Sequence, residues 1–468
     1  MFVVLLFVAL TVLGAPQKDQ VTSLPGLAAQ LPSLHYSGYL TALNGSHLHY
    51  YLVQAIEVAP ATAPLVLWMN GGPGCSSMDG WGYEQGPVHF KDFNSSGPEL
   101  ALNPHTWARI ANLVFLEAPP GVGFSYRDDG NYTISDSGNA RNNLAAVLDL
   151  LTNKFPEYAK NSFYVAGESY AGIYVPTLVD QILLHNANPP NGTINIPLVA
   201  MIVGNGVTDY VADDIPTNNF VPFAYGHGLI SKGDYDKTMT DCIANMSSDA
   251  CNRDLEWLSL ITYYNNIYGV YYKCFTAPSI RWKYIPNLRR RLEFMAKQRG
   301  VSVDEVLRVP PSPPGGGVPC IDSKLMTEYL NRLDVKTALH VEPSLTFHLC
   351  YDINYISDVM SVVYVYKKMI AAKLRTMFYN GNIDLAVPYT GTEYWIRAAN
   401  FTPSSEFVPW TFADDNYQFG PQLGGYSTSY EDKLFWFVRV NGAGHMVPQF
   451  RPAAAFEMFS RFLNGQNF

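Results

Sequence analysis

The chain predicts an α/β fold: a mostly parallel sheet with helices on both faces and one inserted cap. Three observations carry that expectation. Short apolar runs alternate with helical periodicity through both halves of the sequence. The alternation breaks over a single interval, 207–324. The composition supplies a large core, since 48% of the 468 residues are hydrophobic, 15% charged and 14% aromatic. This is a dense globular protein and excludes a disordered or fibrous one. A net charge of −9, with no basic stripe interleaved with aromatics, excludes nucleic acid as a partner.

The elements follow in order. Phe2 to Leu13 is an apolar run with small residues at Gly14 and Ala15. It has the length of a signal-peptide core and is too short to span a bilayer. A signal peptide over 1–15 is therefore expected, although no Lys or Arg precedes Lys18. No later segment is apolar and long enough for a membrane span. Pro64 to Asn70 and Asn112 to Ala118 read as strands. Ile134 to Phe155 reads as a helix, with Asp136 as its cap and Leu144, Val147, Leu148 and Leu151 at helical spacing. Ser162 to Glu168 is a strand, Ala171 to His185 a helix, and Leu198 to Val203 a strand ending in the turn Gly204-Asn205-Gly206. Thr376 to Asn380 and Leu434 to Val440 are further strands, and Pro452 to Leu463 a closing helix. Strand and helix in alternation imply a parallel sheet covered on both faces.

The core is thus expected over 16–206 and 325–468. The interval between them is rich in Tyr, Asn and Asp and holds four of the six cysteines. It carries the run Arg289-Arg290-Arg291 and the segment Pro310 to Gly317, which cannot join a helix or an inner strand. It reads as an inserted cap with a cleavable processing loop near 280–317. There is no internal repeat.

The chemistry starts at Ser169 in GESYAG, between a predicted strand and a predicted helix. A nucleophile elbow needs that context and small neighbours, although Ala171 stands where the strict pattern has glycine. A serine hydroxyl needs a base, and the base an orienting acid. Asp384 in NGNIDLAVP and His445 in NGAGHMVP follow in the order Ser, Asp, His, each in a turn after a predicted strand. That order and placement are those of an α/β-hydrolase. The glycines of NGGPGCSS, Asn70 to Ser77, let backbone N–H groups approach a ligand oxygen. Gly72 and Tyr170 are the expected oxyanion donors. No Gly-Lys-Ser/Thr follows the glycines, and Gly121-Val122-Gly123 lacks a third glycine, so phosphate and dinucleotide sites are not indicated.

Metal ligation is not indicated either. His47-Leu48-His49 has no third ligand nearby and reads as one face of a strand, and no cysteine pair has C-x₂-C spacing. The six cysteines allow fifteen pairings, among which spacing cannot choose. With the N-terminal run, they and the acceptors at Asn44, Asn94, Asn131, Asn191, Asn245 and Asn400 suggest a glycoprotein of the secretory pathway, lysosomal or extracellular.

Together WMNGGPGCSS (Trp68 to Ser77), EAPPGVGFSY (Glu117 to Tyr126), GESYAG, GNID and GAGHMVP resemble the serine carboxypeptidase family, and within it the lysosomal members. The resemblance spans nearly the whole chain and is weakest in the cap. It implies a serine-type carboxypeptidase that releases C-terminal amino acids from peptides through an acyl-enzyme in mild acid, without a cofactor. It implies that Asn70 and Glu168 bind the substrate's terminal carboxylate, that Glu84 pairs with Glu168, that Trp68 packs near them, and that Met446 lines the leaving-residue pocket. Two close acids beside a carboxylate must hold at least one proton, which makes them donors. The family's cysteine pattern maps to Cys75–Cys350, to which Cys242–Cys251 and Cys274–Cys320 are added. A homodimer and an association with lysosomal glycosidases follow by family analogy only. Where many members carry Cys-Asn after the catalytic aspartate, this chain has Leu385-Ala386-Val387-Pro388. An acyltransferase and a non-enzymatic stabiliser are the competing classes. The intact triad argues against the second as a sole role. Asn70, Glu84 and Glu168 argue for a free carboxylate as ligand, and so for a peptidase.

Overall fold

The computed structural model describes residues 15–94, 97–210, 215–262, 265–274, 320–414 and 420–468. The apolar N-terminal run and the loop near 280–317 lie outside the described residues. Twelve strands among those described form one sheet. Eleven have the spatial order Gln20–Val21, His35–Thr41, Ser46–Val53, Asn112–Leu116, Leu65–Met69, Phe163–Glu168, Leu198–Gly204, Arg375–Gly381, Phe435–Val440, Gln422–Tyr430 and Pro403–Phe412. The twelfth, Tyr126–Arg127, pairs with Ser46–Val53 off this path. Neighbours are parallel from Asn112–Leu116 to Phe435–Val440 and antiparallel on both flanks.

The parallel strands are mostly apolar because both of their faces are covered. All five residues of Leu65–Met69 are buried. One face packs against the closing helix Pro452–Leu463 through Ala454, Ala455, Met458, Phe459 and Phe462. The other packs against the helices Ala171–Ala187, Val363–Ala371 and Tyr389–Ala398. Strand order reverses at Leu65–Met69, between the neighbours Asn112–Leu116 and Phe163–Glu168. Loops leaving the carboxyl ends of strands at such a switch point form a crevice. Here those loops are Asn70 to Ser77 and Ser169 to Tyr170.

Each strand and helix the sequence predicts lies where expected, within two residues at its ends, with one correction at the helix expected over 134–155, whereas the edge hairpin Pro403–Phe412 and Gln422–Tyr430 and the helices Val363–Ala371 and Tyr389–Ala398 are not predicted. The α-helix is Asp136–Asp149, followed by a wider turn over Leu150–Lys154. Its cap is Ser135, whose hydroxyl accepts from Gly138 N at 3.2 Å, and not Asp136. The Asp136 carboxylate turns inward to other donors. His47 and His49 lie on the strand Ser46–Val53, as expected. His47 meets Asp128 at 3.0 Å and His49 meets the buried Glu117 at 2.8 Å.

Between Leu198–Gly204 and Arg375–Gly381 the chain leaves the sheet. The helices Phe220–Gly226, Lys232–Ala244 and Asp249–Ile261 gather around Val221, Ala224, Ile230 and Leu258. Disulfides join Cys75 to Cys350, the pair implied by the resemblance, and Cys242 to Cys251 and Cys274 to Cys320, the two pairs added to it. Among the described residues no helix is long and apolar enough to cross a membrane.

Candidate active site

Ser169 sits between the strand Phe163–Glu168 and the helix Ala171–Ala187, at φ +64°. A left-handed backbone is uncommon for a serine and marks the sharp elbow that lifts its side chain off the sheet. The turn is pinned on both sides: Ser169 N donates to Gly204 O at 3.0 Å, and Val207 N donates to Ser169 O at 3.0 Å. Small size matters most at Gly172, where a Cβ would lie 2.2 Å from Val207 O.

The loop Asn70 to Ser77 presses against this elbow. A Cβ on Gly71 would lie 2.3 Å from Tyr170 N and 2.9 Å from Ser169 Cβ. The structure thus brings the glycine run and the serine together. Among the described residues, neither the Gly72 nor the Tyr170 backbone N–H meets a protein acceptor.

Asp384 and His445 emerge from the ends of the strands Arg375–Gly381 and Phe435–Val440. His445 Nδ1 lies 2.7 Å from Asp384 Oδ2, and both side chains are buried. The Asp384 carboxylate also accepts from Asn205 Nδ2 at 2.8 Å, Ala386 N at 2.8 Å and Val387 N at 3.2 Å. With its own Nδ1 tied to the acid, the ring leaves Nε2 to act as a base. His445 N donates to Tyr268 O at 2.8 Å, so the segment after the helix Asp249–Ile261 braces the ring.

Asn70, Glu84 and Glu168 meet in one buried cluster. Asn70 Nδ2 donates to Glu84 Oε1 at 2.9 Å and to Glu168 Oε1 at 3.1 Å. Asn70 Oδ1 accepts from Trp68 Nε1 at 2.8 Å and from Gly80 N at 3.1 Å, which fixes the amide's orientation. Trp68 therefore acts on the cluster through Asn70. The second oxygens, Glu84 Oε2 and Glu168 Oε2, receive no donor among the described residues. Carboxyl oxygens of the two acids lie within 4.8 Å of each other, so two charges there would repel and a proton on the pair is favoured. Burial, reinforced by Asp79, pushes Glu84 up to about 8. Burial and the neighbouring acids hold Glu168 well above the usual carboxyl range. Met446 is buried beside His445 in sequence and opens the short helix Val447–Phe450.

Two residues escaped the sequence reading. Asn205 orients Asp384, and its only signal was a polar residue between glycines at a strand end. Asp79 joins Glu84 and Glu168, with carboxyl oxygens of all three within 4.8 Å of one another. Burial pushes Asp79 up to about 7. Its signal was an acid inside the otherwise uncharged helix Met78–Gly82.

The elbow, the Asp–His pair and the parallel sheet define a serine hydrolase of α/β-hydrolase architecture. Residues 25–465 match the serine carboxypeptidase family. The chain is 34% identical to serine carboxypeptidase-like 21 of Arabidopsis thaliana, over 97% of this chain and 95% of the relative. It is 35% identical to the lysosomal protective protein of Mus musculus, over 96% and 94%. The fold matches a prohormone-processing carboxypeptidase from Saccharomyces cerevisiae at TM-score 0.72 and 20% identity, covering 97% of both chains. The chain belongs to the serine carboxypeptidase family and is a serine-type carboxypeptidase acting through an acyl-enzyme. Plant and mouse relatives stand equally far away, so the expected lean towards the lysosomal members is not distinguished from the plant branch.

Proposed function

We propose that the protein removes single residues from peptide C-termini in mild acid, with Ser169 as nucleophile, His445 as base and Asp384 as the group that orients it. His445 takes the serine proton as Oγ attacks the carbonyl carbon, then gives it to the leaving amine; water repeats the cycle on the acyl-enzyme. The Gly72 and Tyr170 amides receive the oxyanion. Asn70, Glu84 and Glu168 receive the substrate's terminal carboxylate, Trp68 orients Asn70, and Met446 lines the leaving-residue pocket. The observation that carries this reading is the proton-holding acid cluster one residue from Ser169: a donor set for a carboxylate, built from carboxyls.

The test is a blocked dipeptide at mildly acidic pH, assayed for the free C-terminal amino acid. Wild type releases it, and Ser169→Ala loses about 10⁶-fold in kcat. Near-normal turnover by Ser169→Ala would remove the serine mechanism.

The interval 207–324 is read as an inserted cap whose loop near 280–317 is cut first by trypsin at its basic run. The cut halves stay together until reduced, because Cys75–Cys350 and Cys274–Cys320 span the loop. A passage through the secretory pathway to a lysosomal or extracellular destination is read from the apolar N-terminal run, the three disulfides and the sequons. Asn44, Asn131, Asn191, Asn245 and Asn400 are exposed.

A further inference from the structure

The two proposed oxyanion donors come from separate stretches of chain, Gly72 in the loop after one strand and Tyr170 in the elbow after another. Their separation must be held closely, since a displacement of about 1 Å at a reacting centre can cost roughly 10²-fold in rate. One segment, 349–359, is tied to both stretches.

On the Gly72 side the ties are three. Ser76 N donates to Leu349 O at 2.8 Å, Cys75 is bonded to Cys350, and Tyr351 N donates to Gly74 O at 2.9 Å. On the Tyr170 side the ties converge on Asp136, which is 1% exposed. Asp136 Oδ1 accepts from the Tyr170 hydroxyl at 3.0 Å and from the Tyr355 hydroxyl at 2.8 Å. Asp136 Oδ2 accepts from Val359 N at 3.0 Å. The Tyr170 hydroxyl also lies 2.7 Å from Ser357 Oγ. The Tyr170 hydroxyl donates to Asp136, so its single proton is used there and the Ser357 hydroxyl donates to Tyr170. The Tyr355 ring meets that of Tyr170 edge-on, with centroids 5.6 Å apart.

We infer that Asp136 is a positioning residue for catalysis. Through the hydroxyl of Tyr170 it fixes the peptide plane that carries the Tyr170 N–H, and through 349–359 it sets that N–H at a constant distance from the Gly72 amide. This explains why Asp136 leaves the capping of its own helix to Ser135 and turns inward. It also gives the Cys75–Cys350 bond a role at the site, as the opposite anchor of the same brace. The inference rests on the reading of Ser169 as nucleophile and of Gly72 and Tyr170 as oxyanion donors.

Full-length Asp136→Ala, Asp136→Asn and Tyr170→Phe are compared with wild type and Ser169→Ala on a blocked dipeptide and a blocked amino-acid ester. A loosened oxyanion hole lowers kcat on both substrates by about 10- to 100-fold and moves KM by less than about twofold, because the lost contact is made only in the transition state. The pH profile keeps its shape. Asp136→Asn, which still accepts, recovers part of the loss. The double variant Asp136→Ala/Tyr170→Phe is no worse than the weaker single variant, because both break one link. A peptide aldehyde, to whose carbonyl carbon Ser169 Oγ adds while its proton passes by way of His445 to the new hydroxyl, loses affinity by the same factor as kcat. The released C-terminal amino acid, whose carboxylate faces Asn70, Glu84 and Glu168 rather than the oxyanion donors, keeps its inhibition constant. Should Asp136→Ala not fold, Tyr170→Phe carries the test, since it deletes one hydroxyl. Wild-type kcat in Tyr170→Phe, or a loss confined to KM, would overturn the brace. An active Ser169→Ala would instead overturn the reading of the site on which it rests.

Discussion

Two sets of buried acids flank Ser169, and they are treated in opposite ways. Asp384 is fully buried yet receives four donors: His445 Nδ1, Asn205 Nδ2 and the amides of Ala386 and Val387. Glu84 and Glu168 are buried as deeply and share the single amide of Asn70, with Asp79 adding a third carboxyl. Burial alone disfavours a charge, and donors restore it. In the proposed mechanism the donor-rich acid holds an imidazole, and the donor-poor pair, raised by burial, receives a carboxylate. In that proposal, donor supply rather than depth separates the orienting acid from the carboxylate-binding pair.

The comparison can be broken first where donors are richest. Asp384→Asn keeps the shape but turns one acceptor into a donor facing His445 Nδ1, which favours the wrong tautomer. A fall of about 10⁴ in kcat is expected on peptide and ester alike. Asn205→Ala removes only one of the four donors, so roughly a tenfold fall in kcat is expected, with KM unmoved. A loss as large as that of Asp384→Asn would mean that Asn205 does more than orient the acid.

A smaller effect appears in stability. An acid whose folded value is raised binds its proton more tightly in the native state than in the unfolded one. Stability from this cluster is thus complete below the ordinary carboxyl range and is lost as pH rises towards about 8, the level to which Glu84 is pushed. Thermal melts across this window should decline with pH in wild type and decline less in Glu84→Gln. Equal slopes would place the shared proton elsewhere.

How much of this was legible in the sequence depends on how local each signal is. The parallel strands announced themselves because both of their faces are buried: Leu65–Met69 and residues 113–116 are unbroken apolar runs. The edge hairpin Pro403–Phe412 and Gln422–Tyr430 did not, because one face meets solvent and polar residues interrupt each run. Ser169, Asp384 and His445 were legible from chain order and strand ends. Asn205 was not, since its meaning depends on a partner 179 residues away. The roles of Glu84 and Glu168 came from the family resemblance alone; nothing local distinguishes Glu84 from a surface charge. Asp136 was assigned to the wrong task because a helix-start aspartate usually caps, whereas here tyrosines from distant segments claim it.

The claim that buried carboxyls read the substrate's terminal charge is tested most directly by one paired measurement. kcat/KM is followed against pH for a blocked dipeptide and for its C-terminal amide, in wild type, Glu84→Gln and Glu168→Gln. At low pH the shared proton donates to the substrate carboxylate. As pH rises the cluster ionises and repels that carboxylate, but it has no charge to repel in the amide. Wild type should therefore lose peptide activity on the alkaline side and keep amide activity, and each glutamine variant should flatten the peptide's alkaline fall while leaving the amide profile unchanged. If both variants retained the wild-type peptide profile, Glu84 and Glu168 would not be the carboxylate sensor.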